Sequence, residues 1–312
     1  MTEHHHHHHT PCADTSTKKV LVFSVILNLS FVLMEALVGL THGSLSLLSD
    51  AGHNLSDVLS LLLVLLGFRL AQIYANDHYT YGYKKSTILI SLLNAVILLV
   101  AVGAIVAESI HKFASPTPVD GLAIGWTAGV GIVINGLTAF LLMHGQKKDL
   151  NVRGAFLHMV ADTLVSVGVV VSGVIIHFTG WMLVDPLMSI AVAVAILFST
   201  WGMLKDSLRL SLDGIPEGID LEEIKKLMMT VDGIRNVHHL HIWAISTTEN
   251  AITAHVVIHD LEQMETIKSE LKHLLAEHNI PHCTLEFETE DHMCPCQGCD
   301  GKHCENKATC EL

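Results

Sequence analysis

Six apolar blocks fill most of the chain up to residue 206, at roughly 20–41, 46–72, 87–111, 119–143, 154–178 and 182–204. A helix needs about 20 apolar residues to cross the hydrocarbon layer of a bilayer, and each block reaches or passes that length. In lipid no water satisfies exposed backbone groups, so a long apolar run can only span as a helix. The composition agrees: 50% of residues are hydrophobic and only 16% charged, well under the ~25% of a soluble domain. The polar head before Lys18 is short and the first block is span-length, so no cleavable signal peptide is expected.

From about Ser207 charges return and apolar residues arrive in short runs. Four segments follow: a His-rich N-terminal tail (1–17), a six-helix transmembrane domain (18–206), a soluble domain (207–291) and a Cys/His-rich tail (292–312). Lys and Arg in the short loops fix orientation. Lys18, Lys19, Arg69, Lys84, Lys85, Lys147, Lys148, Arg153, Lys205 and Arg209 fall on one side, and Lys112 alone on the other. This predicts that both termini lie in the cytoplasm. The net charge of −13, carried largely by the soluble region and tail, argues against a nucleic-acid partner and suits cation handling.

Two spans carry the same pair of polar residues at the same spacing: His53 and Asp57 in the second, His158 and Asp162 in the fifth. Residues four apart share one helix face, so each pair aims two metal-binding groups in one direction. Asp50, His53, Asn54 and Asp57 form a polar stripe on an otherwise apolar helix, and His158, Asp162 and Ser166 form another. Ionisable groups within a bilayer are expensive and usually functional. One reading is hydrogen bonding between helices. The other is a tetrahedral His2Asp2 site, which suits zinc, whereas Mg2+ and Ca2+ prefer all-oxygen shells. Such a site would exchange metal for protons, because its ligands bind metal only when deprotonated and two buried carboxylates left without metal favour protonation. Asp50 is a candidate proton relay. Asn28 and Glu35 lie two turns apart on one face of the first span. Gly125 and Gly129 in the fourth either let a helix approach closely or have no special contact.

The soluble domain reads α-β-β-α-β. Helical spacing covers Pro216 to Thr230 and Gln263 to His278, and strand alternation covers Val237 to Ser246, Ala251 to His259 and Cys283 to Thr289. That order predicts a small α+β domain with helices on one sheet face.

The string from Gly43 to Asp57 (GSLSLLSDAGHNLSD) resembles the second-span signature of the cation diffusion facilitators. His158-Met-Val-Ala-Asp162 resembles their second ligand pair, Asn28 and Glu35 their first-span pattern, Tyr81-Gly82 a cytoplasmic-loop motif, and Val237 to Trp243 (VHHLHIW) their C-terminal signature. The resemblance covers about residues 18–290. It implies a six-span zinc/proton antiporter that exports Zn2+ by alternating access, working as a homodimer with a ferredoxin-like, metallochaperone-like cytoplasmic domain. It places His53, Asp57, His158 and Asp162 at the transport site, with Cd2+ or Co2+ as alternative cargo. It also makes His241, His255 and Glu288, with His238 and His282, candidate ligands for a regulatory zinc. Two features depart from the family. The loop around Asp77 and His78 has Tyr79 where some members place a metal-binding His, and the span between His144 and Arg153 lacks the long His-rich loop of many animal members. The missing loop favours a bacterial-style or minimal member, in the plasma (inner) membrane if bacterial and otherwise in an organelle or vesicle membrane.

Cys296, Cys299, His303 and Cys304 in the tail either form a soft metal site or remain free reduced thiols. His4 to His9 is either a native metal scavenger or a purification tag. Three functions compete: the antiporter, a metal sensor or buffer, and an intramembrane metalloenzyme. An enzyme would want an open coordination position and a nearby general base, and no His-Glu-x-x-His motif is present.

Overall fold

A computed structural model describes residues 15–42, 45–114, 121–181 and 183–289. The chain divides into two compact units, at Met1–Leu208 and Arg209–Leu312.

The first unit is built of six long helices: α1 (Thr15–His42), α2 (Leu45–Leu70), α3 (Ser86–Ala114), α4 (Gly121–Leu142), α5 (Leu150–Thr179) and α6 (Val184–Ser211). Most run past the apolar blocks at one or both ends, because a helix continues into the polar interface until its backbone is capped or turned. Among the described residues, Thr17–Val38, Ser86–His111 and Pro186–Ser211 are long and apolar enough to cross a membrane. Asp149 starts α5: its Oδ1 accepts from the backbone N–H groups of Asn151 (2.7 Å) and Val152 (3.3 Å), donors that a first helical turn otherwise leaves unpaired.

One apolar cluster ties α1, α2, α4 and α5 together through Leu21, Leu61, Phe68, Leu142, Val152 and Met159. A second, with Val102, Ala161, Ala193 and Ile196, joins α3, α5 and α6. A side chain on Gly136 or Gly131 of α4 would meet Thr163 (3.8 Å) or Ser166 (3.9 Å) of α5, whereas one on Gly129 would meet nothing within 4 Å. The small-residue contact of α4 therefore lies at Gly131 and Gly136. Between α2 and α3 the chain turns at Gly82, where φ is +65° and a Cβ would sit 2.6 Å from the Ile73 carbonyl oxygen. Only glycine fits there.

The second unit holds α7 (Leu221–Met228), β1 (Ile234–Ala244), β2 (Asn250–Ile258), α8 (Met264–Glu277) and β3 (His282–Thr289). The sheet order is β1-β2-β3, with β1 antiparallel and β3 parallel to β2. This is the αββαβ order that the periodicity predicts. Helix α7 starts later than Pro216, because Gly218 turns the chain at φ +83° and Asp220 caps it by accepting from the N–H groups of Glu222 and Glu223. Ile224, Met228, Ile267, Leu271 and Leu275 of the helices pack on Val237, Ile252, Ala254, Val256 and Ile258 of the sheet. With alternate residues of each strand in that core, the other sheet face carries the polar side chains.

Candidate metal sites

The α2 and α5 stripes meet inside the helical unit. Asp57 is 2% exposed and His158 6%, and Asp162 is half-buried. His158 Nε2 lies 2.5 Å from Asp57 Oδ1 and 3.8 Å from Asp162 Oδ2, so the ring sits between two carboxylates. One ligand atom from each of the three falls within 4.8 Å of the others. The second oxygen of Asp57 is buried without a hydrogen-bond partner among the described residues. A buried carboxylate oxygen in that state is costly unless a cation or a donor meets it. His53 stands on α2 one turn before Asp57, and Asp50 one turn earlier; both side chains lie outside the described ones.

Polar contacts position these helices. Asn54 Nδ2 on α2 donates to Glu35 Oε2 on α1 at 2.7 Å, and Asn28 Nδ2 on α1 donates to Thr138 Oγ1 on α4 at 3.1 Å. Arg153 and Asp206 pair at 3.3 Å between α5 and α6.

A second cluster occupies the polar face of the sheet. The register sets His238 of β1 opposite His255 of β2, and His255 opposite Glu286 of β3. His255 Nδ1 is 2.5 Å from Glu288 Oε1 and its Nε2 is 3.4 Å from Glu286 Oε2. His238 Nε2 is 3.4 Å from Glu288 Oε2, near enough for an ion pair but not aligned as a hydrogen bond. His239 closes the group, its ring 5.1 Å from that of His238 and 4.8 Å from that of His255. Its backbone is left-handed, with φ at +48°, where the β1 register shifts between His238 and His241. Burial holds the His238 and His239 imidazoles below their usual pKa. Neighbouring imidazoles, and Lys225 for His238, add to the shift, while Glu288 opposes it. Neutral imidazole is the metal-binding form.

Of the candidates in this domain, the structure brings together His238, His255 and Glu288. His241 faces Thr253 and His282 faces Ala251, at other positions along the sheet. His239 and Glu286 join the cluster without a sequence signal: simple alternation puts His239 on the face opposite His238, and only the register shows Glu286 beside His255. Asp77 and His78 are exposed and belong to no metal-binding group among the described residues. Cys296, Cys299, His303, Cys304 and the His4 to His9 run lie outside the described residues.

Residues 21–210 match the cation efflux transmembrane domain, and residues 216–290 match the cytoplasmic domain of cation efflux proteins. The chain is 39% identical over 282 residues to a cadmium, cobalt and zinc/H(+)-K(+) antiporter of Bacillus subtilis, covering 89% of this chain and 91% of the relative. It is 36% identical over 283 residues to the zinc transporter ZitB of Escherichia coli, covering 90% and 89%. It is 34% identical over 273 residues to the metal cation efflux system protein CzcD of Cupriavidus metallidurans, covering 87% and 85%. These matches make the chain a multi-pass membrane transporter of metal cations and not an enzyme. The chain belongs to the cation efflux family.

Proposed function

We propose that the protein exports Zn2+ from the cytoplasm in exchange for protons by alternating access, with Cd2+ and Co2+ as further cargo. The observation that carries this reading is the convergence of Asp57, His158 and Asp162 from two helices of the bundle. With His53 they offer two imidazoles and two carboxylates, the donor set and charge that suit a tetrahedral divalent ion. Loss of the cargo leaves two carboxylates beside two imidazoles with no cation to balance them, and metal binding needs those ligands deprotonated, so one site serves metal and protons in turn. Asp50, one turn from His53, serves as the relay that delivers them. Relatives named as zinc transporters and as a cadmium, cobalt and zinc/H(+)-K(+) antiporter support both the cargo and the exchange.

In this reading both termini are cytoplasmic, in line with the bias of Lys and Arg in the short loops. The protein works as a homodimer joined through its cytoplasmic domain. The sheet-face cluster suits a regulatory zinc: three imidazoles, two of them held neutral by burial, beside two carboxylates. His238, His239, His255 and Glu288 would hold it, with His241 and His282 as outlying candidates. Cys296, Cys299, His303 and Cys304 would capture metal ahead of transport.

Flux into proteoliposomes tests the transport reading. A pH gradient should drive Zn2+ movement, and Asp57→Ala or Asp162→Ala should reduce the rate by at least about 100-fold while the protein still folds. Normal transport by either variant removes that residue from the site. Excess Mg2+ should not compete; strong competition would contradict a His2Asp2 site.

A further inference from the structure

Side-chain hydroxyls in these helices mostly satisfy themselves. Ser30, Ser109, Thr163, Thr179 and Ser199 each donate to the carbonyl four residues earlier. Asn94 of α3 and Thr200 of α6, both buried within their helices, do not. Asn94 is 3% exposed, and neither its amide oxygen nor its nitrogen has a hydrogen-bond partner among the described residues. Thr200 is fully buried, and its hydroxyl also has none among them. An amide or hydroxyl buried without partners is costly, and more so at membrane depth, where polar groups persist when they line a water-filled cavity or a substrate path.

Their placement is specific. A methyl group on Gly154 of α5 would sit 3.5 Å from Asn94 Cβ, 3.4 Å from Met203 Sδ and 2.6 Å from Met203 Cε. Asn94 and Met203 therefore share the space left by that glycine. Four residues along α5, on the same face, is His158. One turn back along α3 and one turn on along α6, Ser91 Oγ and Ser207 Oγ are 2.9 Å apart. One turn the other way along α6 stands Thr200. Ser207, Met203 and Thr200 thus follow one another at one-turn spacing on α6, Ser91 and Asn94 on α3, and Gly154 and His158 on α5.

We propose that Asn94 and Thr200 line the hydrated approach by which the divalent cation reaches the His158 and Asp162 face, and that the Asn94 amide contacts the hydrated ion on the way. The inference rests on the transport reading above. It adds two residues that aid passage rather than final coordination. The amide oxygen accepts from the water shell of any divalent cation, whose waters point their hydrogens outward, so Asn94 acts before selectivity is set by the imidazoles.

Cysteine accessibility tests it in the full-length protein with its seven native cysteines replaced by serine. A membrane-impermeant cationic methanethiosulfonate should label Asn94→Cys from the serine-rich side at least about tenfold faster than Ala95→Cys, because only a hydrated thiol ionises and reacts. Ala95 is the next residue along the helix and is fully buried. Saturating Zn2+ should slow labelling of Asn94→Cys. Equal labelling at 94 and 95 overturns the hydrated approach, and labelling that Zn2+ leaves unchanged overturns the contact with the ion. In an Asp57→Ala background the difference between 94 and 95 should persist without metal, so a failure of the transport site is read separately. Asn94→Leu should slow Zn2+ flux at least about tenfold while equilibrium Zn2+ binding stays within about threefold, and Asn94→Gln should restore flux. Wild-type flux in Asn94→Leu overturns the proposal.

Discussion

Asn54 shows how one side chain can organise two helices. Its Nδ2 donates to Glu35 Oε2 at 2.7 Å, joining α1 to α2 one turn before Asp57. Glu35 is 2% exposed, so water cannot replace a lost donor easily. Removing one partner of a buried hydrogen bond leaves the other unsatisfied, although interhelical bonds in membranes contribute less on average than this suggests. Asn54→Ala should therefore destabilise the helical unit by about 1–2 kcal/mol. Thermal unfolding in detergent checks this, and a change below about 0.3 kcal/mol would show that Asn54 does not tie the helices. Cys283 makes the opposite point. Burial pushes its thiol up to about 11, against the pull of Lys272, and Sγ donates to the Ile280 carbonyl at 3.3 Å. At neutral pH it is a protonated core side chain and not a sulfur ligand.

At the scale of elements, β1 decides the second metal cluster. The register shift at His239 adds one residue between His238 and His241, so both stay on the polar face although their spacing is odd. Alternation alone found all three strands, although β1 begins three residues earlier and ends two earlier than it predicts; β2 is the clearest, with Ile252, Ala254, Val256 and Ile258 marking its inner face. The same alternation could not reveal the cluster, since a bulge leaves no period to read and strand pairing joins residues far apart in sequence. The α5 pair needed no such information: four residues along a helix always return to one face, and His158 and Asp162 are where their spacing puts them. A non-glycine residue in the left-handed region costs about 1–2 kcal/mol, part of which glycine regains as unfolded-chain entropy. His239→Gly should accordingly leave the domain unchanged or up to about 1 kcal/mol more stable while weakening Zn2+ binding about tenfold. Urea unfolding and Zn2+ calorimetry measure the two effects. If affinity holds while stability rises, His239 is only a bulge residue.

Across the whole molecule, the two units answer to protons in different ways. In the proposed cycle the helical site takes up protons as part of its work. The cytoplasmic domain resists them, because burial keeps His238 and His239 neutral to lower pH than free imidazole. An unfolded chain binds these protons first, near the 6.5 of an unperturbed histidine. Stability is therefore full above that pH and is lost as pH falls from there toward the lower folded values, with stability rising with pH throughout the window. The metal-free domain should be more stable at pH 7.5 than at pH 5.5. Bound Zn2+ should flatten the difference near neutrality, because it binds only the neutral rings and so competes with protons at the same nitrogens. Hydrogen exchange of β1 and β2 in the intact protein, corrected for the intrinsic rate at each pH, measures both quantities. Protection that grows on acidification would reverse the sign of the histidine contribution. Protection independent of pH in the metal-free protein would mean that the two rings titrate alike in the folded and unfolded chain.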